Sequence, residues 1–249
     1  MNYAILLSGG TGTRIGTQVP KQYLRVGDKD RMMVTYAMET LLGSMWVDEV
    51  VIVADPSWQE EILKEAKSAG LSLEKFRGFA LPGRNRQESV FHGMEKILEL
   101  QADGKTDGDA GTEKAVADTV LVHDAARPCL SDKLLTAIYE ALPGHEGVMP
   151  ALPMKDTVYL SADGKRISEL IDRSCVYAGQ APELFLLKPY FQANRALLPE
   201  DKIMRINGAS EPAVMAGMDI ALIPGDEKNF KVTTKADLER LQQILEERK

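Results

Sequence analysis

Short apolar runs alternate along the chain with longer segments whose apolar residues recur at helical spacing. The strand-like runs lie at residues 3–7, 49–54, 119–123 and 147–151, and the helix-like segments lie at residues 32–42, 59–69, 89–100 and 132–142. Ser131 is a candidate N-cap for the last of these helices. This alternation predicts an α/β fold with a mainly parallel sheet and helices on both faces. We therefore expect ligands at the carboxyl ends of the strands.

Two segments interrupt the alternation. Residues 157–160 and 166–170 flank a turn that contains Asp163 and Gly164, a pattern typical of a β-hairpin. Such an insertion either projects towards a partner subunit or packs on its own domain, and we expect a dimerisation arm at about residues 152–175. Residues 102–115 are polar and glycine-rich, which predicts an exposed loop to which we assign no chemistry.

Composition bounds the class of protein. With 249 residues, of which 44% are hydrophobic, the chain can bury a substantial core. No apolar run reaches the length of a membrane span and the N-terminus lacks signal-peptide features, so we expect a cytoplasmic protein. The net charge of -7 disfavours nucleic acid as the main partner. Cys129 and Cys175 lack metal-ligand spacing, so we interpret both as structural thiols and expect no zinc.

The first loop carries a strong chemical signal. The run Ser8-Gly9-Gly10-Thr11-Gly12-Thr13-Arg14 directly follows the first strand. Its glycines allow the backbone to approach a ligand closely, and its N–H groups together with Arg14 and Lys21 suit a phosphate. A P-loop is excluded because this glycine-rich run does not end in Gly-Lys-Ser/Thr, and Pro20 argues against the uninterrupted helix of a dinucleotide-binding fold. A purely structural turn is the alternative, but it leaves the cations without a role.

A second signal comes where a buried strand runs into Asp124. A carboxylate at this end of a strand suits Mg²⁺ bound to phosphates, and Arg127 could hold a second phosphate. The alternative is that Asp124 caps a turn and pairs with Arg127. We interpret His123 as a packed residue. Further on, Lys231 lies between Phe230 and Val232, so in an extended segment its ammonium points away from both and needs a negative partner.

Six motifs, in this order and over nearly the whole chain, resemble the 2-C-methyl-D-erythritol 4-phosphate cytidylyltransferase family. They are the glycine loop with Arg14, Pro20-Lys21-Gln22-Tyr23-Leu24, Gly83 with Arg86-Gln87-Glu88-Ser89-Val90, Val122-His123-Asp124-Ala125-Ala126-Arg127-Pro128, Lys155-Asp156-Thr157-Val158, and Asn229-Phe230-Lys231-Val232-Thr233. The glycine loop alone is unspecific, whereas the second, third and fourth motifs are specific.

The resemblance implies a Rossmann-like nucleotidyltransferase fold in a single domain over residues 1–249, with the arm as an insertion. It also implies a homodimer, Mg²⁺, and transfer of CMP from CTP to a polyol phosphate with release of pyrophosphate. In the erythritol branch the product is a precursor of isoprenoids.

Roles for individual residues follow from the resemblance. Catalytic cations would be Arg14, Lys21 and Lys231; nucleotide-binding residues would be Ser8, Gly9, Gly10, Gly12, Gly83, Ser89, Asp124 and Ala125; acceptor-binding residues would be Arg127, Thr157 and Arg173, the last two from the partner's arm; and the metal ligand would be Asp124. The cations would stabilise charge on the α-phosphate, so no protein nucleophile is needed.

The chain departs from the family pattern mainly on the acceptor side. The pattern Gln-Thr-Pro-Gln-x-Phe is Gln180-Ala181-Pro182-Glu183-Leu184-Phe185 here, which loses a hydroxyl and gains a charge. The pattern Thr-Asp-Glu/Asp-Ala falls on Asn207-Gly208-Ala209-Ser210, which lacks both carboxylates. Lys228, just before Asn229, stands where the family often carries a metal-binding aspartate, for which Asp226 or Glu227 are candidate substitutes.

Three hypotheses result. The first is a methylerythritol-phosphate cytidylyltransferase. The second is a ribitol-5-phosphate or other polyol-phosphate cytidylyltransferase that makes a CDP-polyol for surface polymers. The third is a catalytically weak, nucleotide-binding regulatory protein, although a mere binder has little need for Arg14, Lys21, Asp124 and Lys231 together.

Overall fold

The computed structural model describes residues 1–10, 19–103 and 117–247. Seven helices in these ranges are α1 (Met33–Gly43), α2 (Pro56–Ser68), α3 (Arg86–Asp103), α4 (Asp132–Glu140), α5 (Leu187–Arg195), α6 (Ser210–Met215) and α7 (Lys235–Glu246). The strands are β1 (Asn2–Leu7), β2 (Arg25–Val26), β3 (Arg31–Met32), β4 (Glu49–Val53), β5 (Phe76–Ala80), β6 (Thr119–Asp124), β7 (Gly147–Pro153), β8 (Val158–Leu160), β9 (Glu169–Ile171), β10 (Tyr177–Gly179), β11 (Glu183–Leu186) and β12 (Ile220–Pro224).

Eight of these strands form one mainly parallel sheet. Its order runs β10-β7-β11-β6-β1-β4-β5, with β12 also paired to β7. Strand β1 pairs in parallel with β4 on one side and with β6 on the other, whereas β11 is antiparallel to both β6 and β7. The register places Leu7 opposite Asp124, so the ends of β1 and β6 coincide. The predicted sheet is confirmed.

Residues of β1 alternate between two cores, one on each face of the sheet. Ala4 and Leu6 pack in the core that contains residues of α1, α2 and α4. Tyr3 and Ile5 pack in the core that contains residues of α3 and α5. Because both faces of the central strands are covered, these strands consist of continuous apolar runs. Helices on both faces were predicted, and this prediction is confirmed.

Side-chain caps fix several helix boundaries. Asp55 accepts a hydrogen bond from the Ser57 amide and Pro56 is the first residue of α2, so this helix begins three residues before the prediction. Ser131 caps α4 as expected, although that helix ends at Glu140 instead of residue 142. Helix α3 begins at Arg86 and ends at Asp103, three residues beyond the prediction at each end.

The hairpin β8–β9 forms a separate two-stranded sheet, and none of residues 152–179 is buried. Asp163 accepts the amides of Lys165 (2.8 Å) and Arg166 (3.0 Å), and Gly164 has a φ of 68°, as an Asp-Gly turn requires. The second strand covers Glu169–Ile171 instead of residues 166–170.

Two predictions fall partly on residues that the structure does not describe. The exposed loop at residues 102–115 lies outside the described residues except for its first two, which belong to α3. The glycine loop is described only as far as Gly10. Within the described ranges, no helix combines the length and apolar character needed to cross a bilayer.

Candidate active site

A cleft of about 510 Å³ opens at the carboxyl ends of β1 and β6. Its lining consists of Leu7, Gly9, Gly10, Lys21, Gln22, Gly83, Arg84, Asn85, Arg86, Ser89, Asp124, Ala126, Asn207 and Lys231. Residues from five of the six sequence motifs therefore meet at the edge of the sheet where ligands were expected.

The glycine loop is held in place by the motif at residues 20–24. Gln22 Nε2 donates to the carbonyl oxygens of Ser8 (2.7 Å) and Gly10 (2.6 Å), and the Tyr23 hydroxyl also donates to Ser8 O (2.7 Å). A Cβ on Gly9 would lie 2.5 Å from Pro82 Cβ, so only glycine fits there without movement. The loop is thus fixed through its carbonyl groups.

A second loop, at residues 83–89, runs into the first turn of α3 and also lines the cleft. Ser89 Oγ accepts the Gly83 amide (2.9 Å) and donates to Asn85 O (2.8 Å), while Asn85 Oδ1 accepts the Glu88 amide (2.8 Å). A Cβ on Gly83 would lie 2.6 Å from Glu88 Cβ. The Ser89 hydroxyl therefore ties the start of α3 to Gly83.

Asp124 forms the centre of a charge cluster in the cleft. Its Oδ1 accepts from Arg86 Nε (3.0 Å) and its Oδ2 accepts from Lys231 Nζ (2.9 Å). Burial alone would raise the pKa of Asp124, but the charges of Arg86 and Lys231 outweigh it and hold this pKa well below the usual range. Asp124 is therefore ionised in the neutral pH range.

Lys21 and Lys231 reach the cleft from opposite ends of the chain. Lys21 Nζ donates to Val232 O (2.6 Å), and the Val232 amide donates to Ala126 O (2.8 Å). Val232 is buried while Lys231 faces Asp124, as the predicted alternation requires. Gly12 and Arg14 were predicted to join this group, and both lie outside the described residues.

Three predicted residues lie near the cleft without lining it. Ser8 is buried and its amide donates to Val53 O (2.8 Å). Ala125 is buried and its amide donates to Leu7 O (3.0 Å), so its neighbour Ala126 lines the cleft instead. Arg127 Nη1 donates to Asn229 O (2.7 Å), which ties this guanidinium to the segment before Lys231. Their binding roles stay predictions.

His123 is fully buried at the end of β6, which fits its interpretation as a packed residue. Its Nε2 lies 3.0 Å from Arg127 O and can donate to it. Burial lowers the pKa of His123 to about 4, so the ring is neutral at pH 7.

The predicted arm residues lie away from their own chain's cleft. Thr157 and Arg173 are exposed at the base of the hairpin, where Arg173 Nη1 donates to Lys155 O (2.7 Å). Neither residue is among those that line the cleft.

The donor set of the cleft fits a single, phosphate-bound Mg²⁺. Of the described residues that line the cleft, Asp124 alone carries a carboxylate, and each of its oxygens keeps a second lone pair. Within the described ranges no three His, Cys, Asp or Glu side chains form a metal-binding group. Asp226 accepts the Lys228 amide (2.8 Å), Glu227 bonds Lys155, and neither lines the cleft. Mg²⁺ typically takes one or two carboxylates and completes its shell with phosphate oxygens and water.

Sequence reasoning gave no role to five polar residues that line the cleft: Gln22, Arg84, Asn85, Arg86 and Asn207. The signal for Gln22 and Arg86 was present, since both belong to specific motifs. Arg84 donates hydrogen bonds to Glu88 and to Asp201. Asp201 is 117 residues away, so no local sequence pattern could predict that contact.

A family model described as 2-C-methyl-D-erythritol 4-phosphate cytidylyltransferase matches residues 3–247. The chain is 33% identical over 247 residues to the enzyme of that name from Thermotoga neapolitana, covering 99% of this chain and 98% of the relative. It is also 33% identical over 250 residues to the bifunctional enzyme IspD/IspF of Maricaulis maris, covering 98% of this chain but 57% of the relative. The chain thus spans just over half the length of that bifunctional relative.

A ribitol-5-phosphate cytidylyltransferase from Streptococcus agalactiae is 26% identical over 241 residues, covering 95% of this chain and 92% of the relative. Among solved structures, the 4-diphosphocytidyl-2C-methyl-D-erythritol synthase from Anaerococcus prevotii superposes with a TM-score of 0.77 at 22% identity, covering 98% of this chain and 95% of the other. The fold is therefore of the Rossmann-like α/β type that was predicted.

Proposed function

Because the chain belongs to the 2-C-methyl-D-erythritol 4-phosphate cytidylyltransferase family, we propose that it transfers CMP from CTP to 2-C-methyl-D-erythritol 4-phosphate and releases pyrophosphate. The observation that carries the proposal is the meeting of Lys21, Lys231 and Asp124 in one cleft with the two glycine-containing loops. A cleft of this kind supplies cations, a carboxylate and backbone groups, which are the groups that a metal-bound triphosphate needs.

The nucleotide lies between the two loops in this proposal. Gly9 and Gly10 allow the backbone to approach its phosphates and sugar, while Gly83 and Ser89 read the cytosine. The hydrogen bond between Ser89 and Gly83 keeps the base-reading loop in one conformation before the nucleotide arrives. Because the loop is already ordered in the folded protein, less conformational entropy is lost when the nucleotide binds.

The cations act on the α-phosphate. Attack by the acceptor phosphate brings two anions together and gathers negative charge at the α-phosphorus. Lys21 and Lys231 stabilise this charge by electrostatics from fixed positions, since both ammonium groups are already hydrogen-bonded to the protein. No protein group needs to form a covalent intermediate, because the acceptor phosphate is itself the nucleophile.

Asp124 would hold Mg²⁺ together with the phosphates of CTP. When bound, the ion neutralises phosphate charge and favours departure of pyrophosphate. The carboxylate is held ionised by Arg86 and Lys231, so it needs no deprotonation to serve as a ligand.

The acceptor is less constrained than the nucleotide. The two carboxylates of the family pattern are absent at residues 207–210, and a ribitol-5-phosphate cytidylyltransferase is among the relatives. Ribitol 5-phosphate is therefore the second candidate acceptor. In this proposal Arg127 binds the acceptor phosphate in both cases.

We also propose a homodimer in which the arm carries Thr157 and Arg173 to the partner's cleft. Four apolar arm residues are more than half exposed in the single chain: Tyr159 (52%), Leu160 (52%), Ile167 (66%) and Leu170 (63%). Exposed apolar side chains on a projecting hairpin favour burial against another surface.

A pyrophosphate-release assay tests the function. Purified protein is incubated with CTP and Mg²⁺ and with each polyol phosphate in turn. Turnover with methylerythritol phosphate supports the proposal, and turnover with ribitol phosphate alone supports the second candidate. CTP binding without turnover on either acceptor would instead support the regulatory hypothesis.

A further inference from the structure

Glu183 lies behind the cleft on β11 and is almost completely buried. Its carboxylate Oε1 is 3.6 Å from Arg86 Nη2, and its side chain is 8% exposed. Ser210, the first residue of α6, hydrogen-bonds to this carboxylate through its hydroxyl and its backbone amide. A carboxylate buried to this extent needs such partners, because burial of an unpaired charge is costly.

Arg86 is held between two carboxylates. Its Nε donates to Asp124 on β6 (3.0 Å), and its Nη2 faces Glu183 on β11. One contact fixes the position of a guanidinium group, whereas contacts at two of its nitrogens also fix its orientation. Arg86 and Asp124 line the cleft but Glu183 does not, so Glu183 acts on the cleft only through Arg86.

We propose that Glu183 is a positioning residue that orients Arg86 and, through it, Asp124. This inference rests on the proposed function, because it assigns a role within the same cleft. It predicts that the carboxylate can be moved from position 183 to position 210 without loss of activity.

Relocation of the carboxylate tests the inference. Glu183→Gln should lower kcat about tenfold and leave the KM for CTP within about twofold, because the hydrogen bond between Ser89 and Gly83 does not involve Glu183. Adding Ser210→Asp should restore kcat to within about threefold of the parent protein. Ser210→Asp alone should lower kcat, because it places a second negative charge against Glu183. Glu39→Gln is the matched control: Glu39 pairs with the buried Arg31 (3.1 Å) away from the cleft, and kcat should not change.

An NMR readout separates this inference from the function itself. In protein with ¹⁵N-labelled arginine, the Nε–H signal of Arg86, assigned with Arg86→Lys, should be sharp in the parent protein. It should broaden in Glu183→Gln and sharpen again in the double variant. If neither acceptor is turned over but this pattern holds, the proposed function fails and the positioning role stands.

Unchanged kcat and an unchanged Arg86 signal in Glu183→Gln would overturn the inference, and so would a double variant no better than the single one. Glutamine is isosteric with glutamate, so the variant should fold, and its melting temperature is recorded. If Glu183→Gln nevertheless unfolds, the double variant decides: recovery of fold and turnover supports relocation, and continued unfolding overturns it.

Discussion

Replacing Lys231 by alanine should reduce turnover far more than it reduces stability. The ammonium donates to Asp124 Oδ2 over 2.9 Å, and the lysine side chain is 32% exposed. A hydrogen bond to a charged group contributes about 1.5–3 kcal/mol. Partial exposure weakens it, and Asp124 keeps Arg86 as a partner, so we expect a loss of about 1 kcal/mol. In a protein of this size that is a decrease in Tm of roughly 2–4 °C.

The kinetic effect should be larger because Lys231 acts mainly in the transition state. Loss of one preorganised donor typically costs about 10²- to 10³-fold in kcat, or roughly 2.7–4 kcal/mol. The KM for CTP should change less, since the hydrogen bond between Gly83 and Ser89 in the base-reading loop does not involve Lys231. Removal of the ammonium should also raise the pKa of Asp124, because Lys231 is one of the charges that lower it.

Steady-state pyrophosphate release and thermal unfolding measure both effects on one preparation. Lys235→Ala, in the exposed first position of α7, is the matched control and should retain full kcat. If Lys231→Ala kept more than half of the parent kcat, the proposed electrostatic role of this lysine would be wrong. A drop in Tm of more than about 10 °C would show that the structural role had been underestimated.

Three further predictions concern the glycine loop, the buried histidine and the arm. Gly9→Ala should raise the dissociation constant for CTP about tenfold, because its Cβ would meet Pro82, whereas Gly43→Ala, with nothing within 4 Å, should not; titration calorimetry measures this, and equal affinities would refute it. In metal-free buffer, the free energy of unfolding should rise with pH from 4 to 6.5, because the pKa of His123 is about 4 when folded and about 6.5 when unfolded, so the unfolded chain binds more protons in this window. His123→Gln should reduce the change in the free energy of unfolding between pH 4 and 6.5 by up to about 3 kcal/mol. Urea titrations at several pH values measure this, and an unchanged pH dependence would contradict the assignment. Light scattering should give the mass of two chains, and Leu170→Glu, on the exposed arm, should give one chain with little turnover; a fully active monomeric parent protein would exclude the arm's role.

The sequence predicts the central sheet well because burial on both faces leaves a strong local signal. Strand β6 is buried at every position, and its apolar run stands out from the polar residues around it. Strand β5 was missed: it lies at the edge of the sheet, mostly half-buried, and Gly78 interrupts its apolar pattern. Strand β11 was missed because it is only four residues long and begins with a buried glutamate. Local patterns thus identify strands only where the environment is uniformly apolar.

The candidate site was predictable in its parts but not in its connections. Each motif is a local pattern, so Lys21, Gly83 and Asp124 could be singled out one at a time. The ion pair between Lys231 and Asp124 joins residues 107 positions apart, and the bond from Lys21 to Val232 spans 211 positions. Such contacts depend on the order of strands in the sheet, which hydrophobic periodicity does not specify. The pairing of Arg86 with Glu183 also required a buried charge on a strand that had been overlooked.

Among the described residues, Arg86 and Lys231 are paired with Asp124 and Glu183 before any ligand binds. Asp124 accepts hydrogen bonds from both Arg86 and Lys231, and Glu183 forms a second ion pair with Arg86. A triphosphate alone would bring negative charge towards Asp124 and would have to compete with it for Lys231. In the proposed function, a divalent cation bound to the triphosphate would remove this conflict, because Asp124 would hold the cation and Lys231 would then be available to the α-phosphate. We therefore expect the protein to bind the metal complex of the nucleotide more tightly than the free nucleotide.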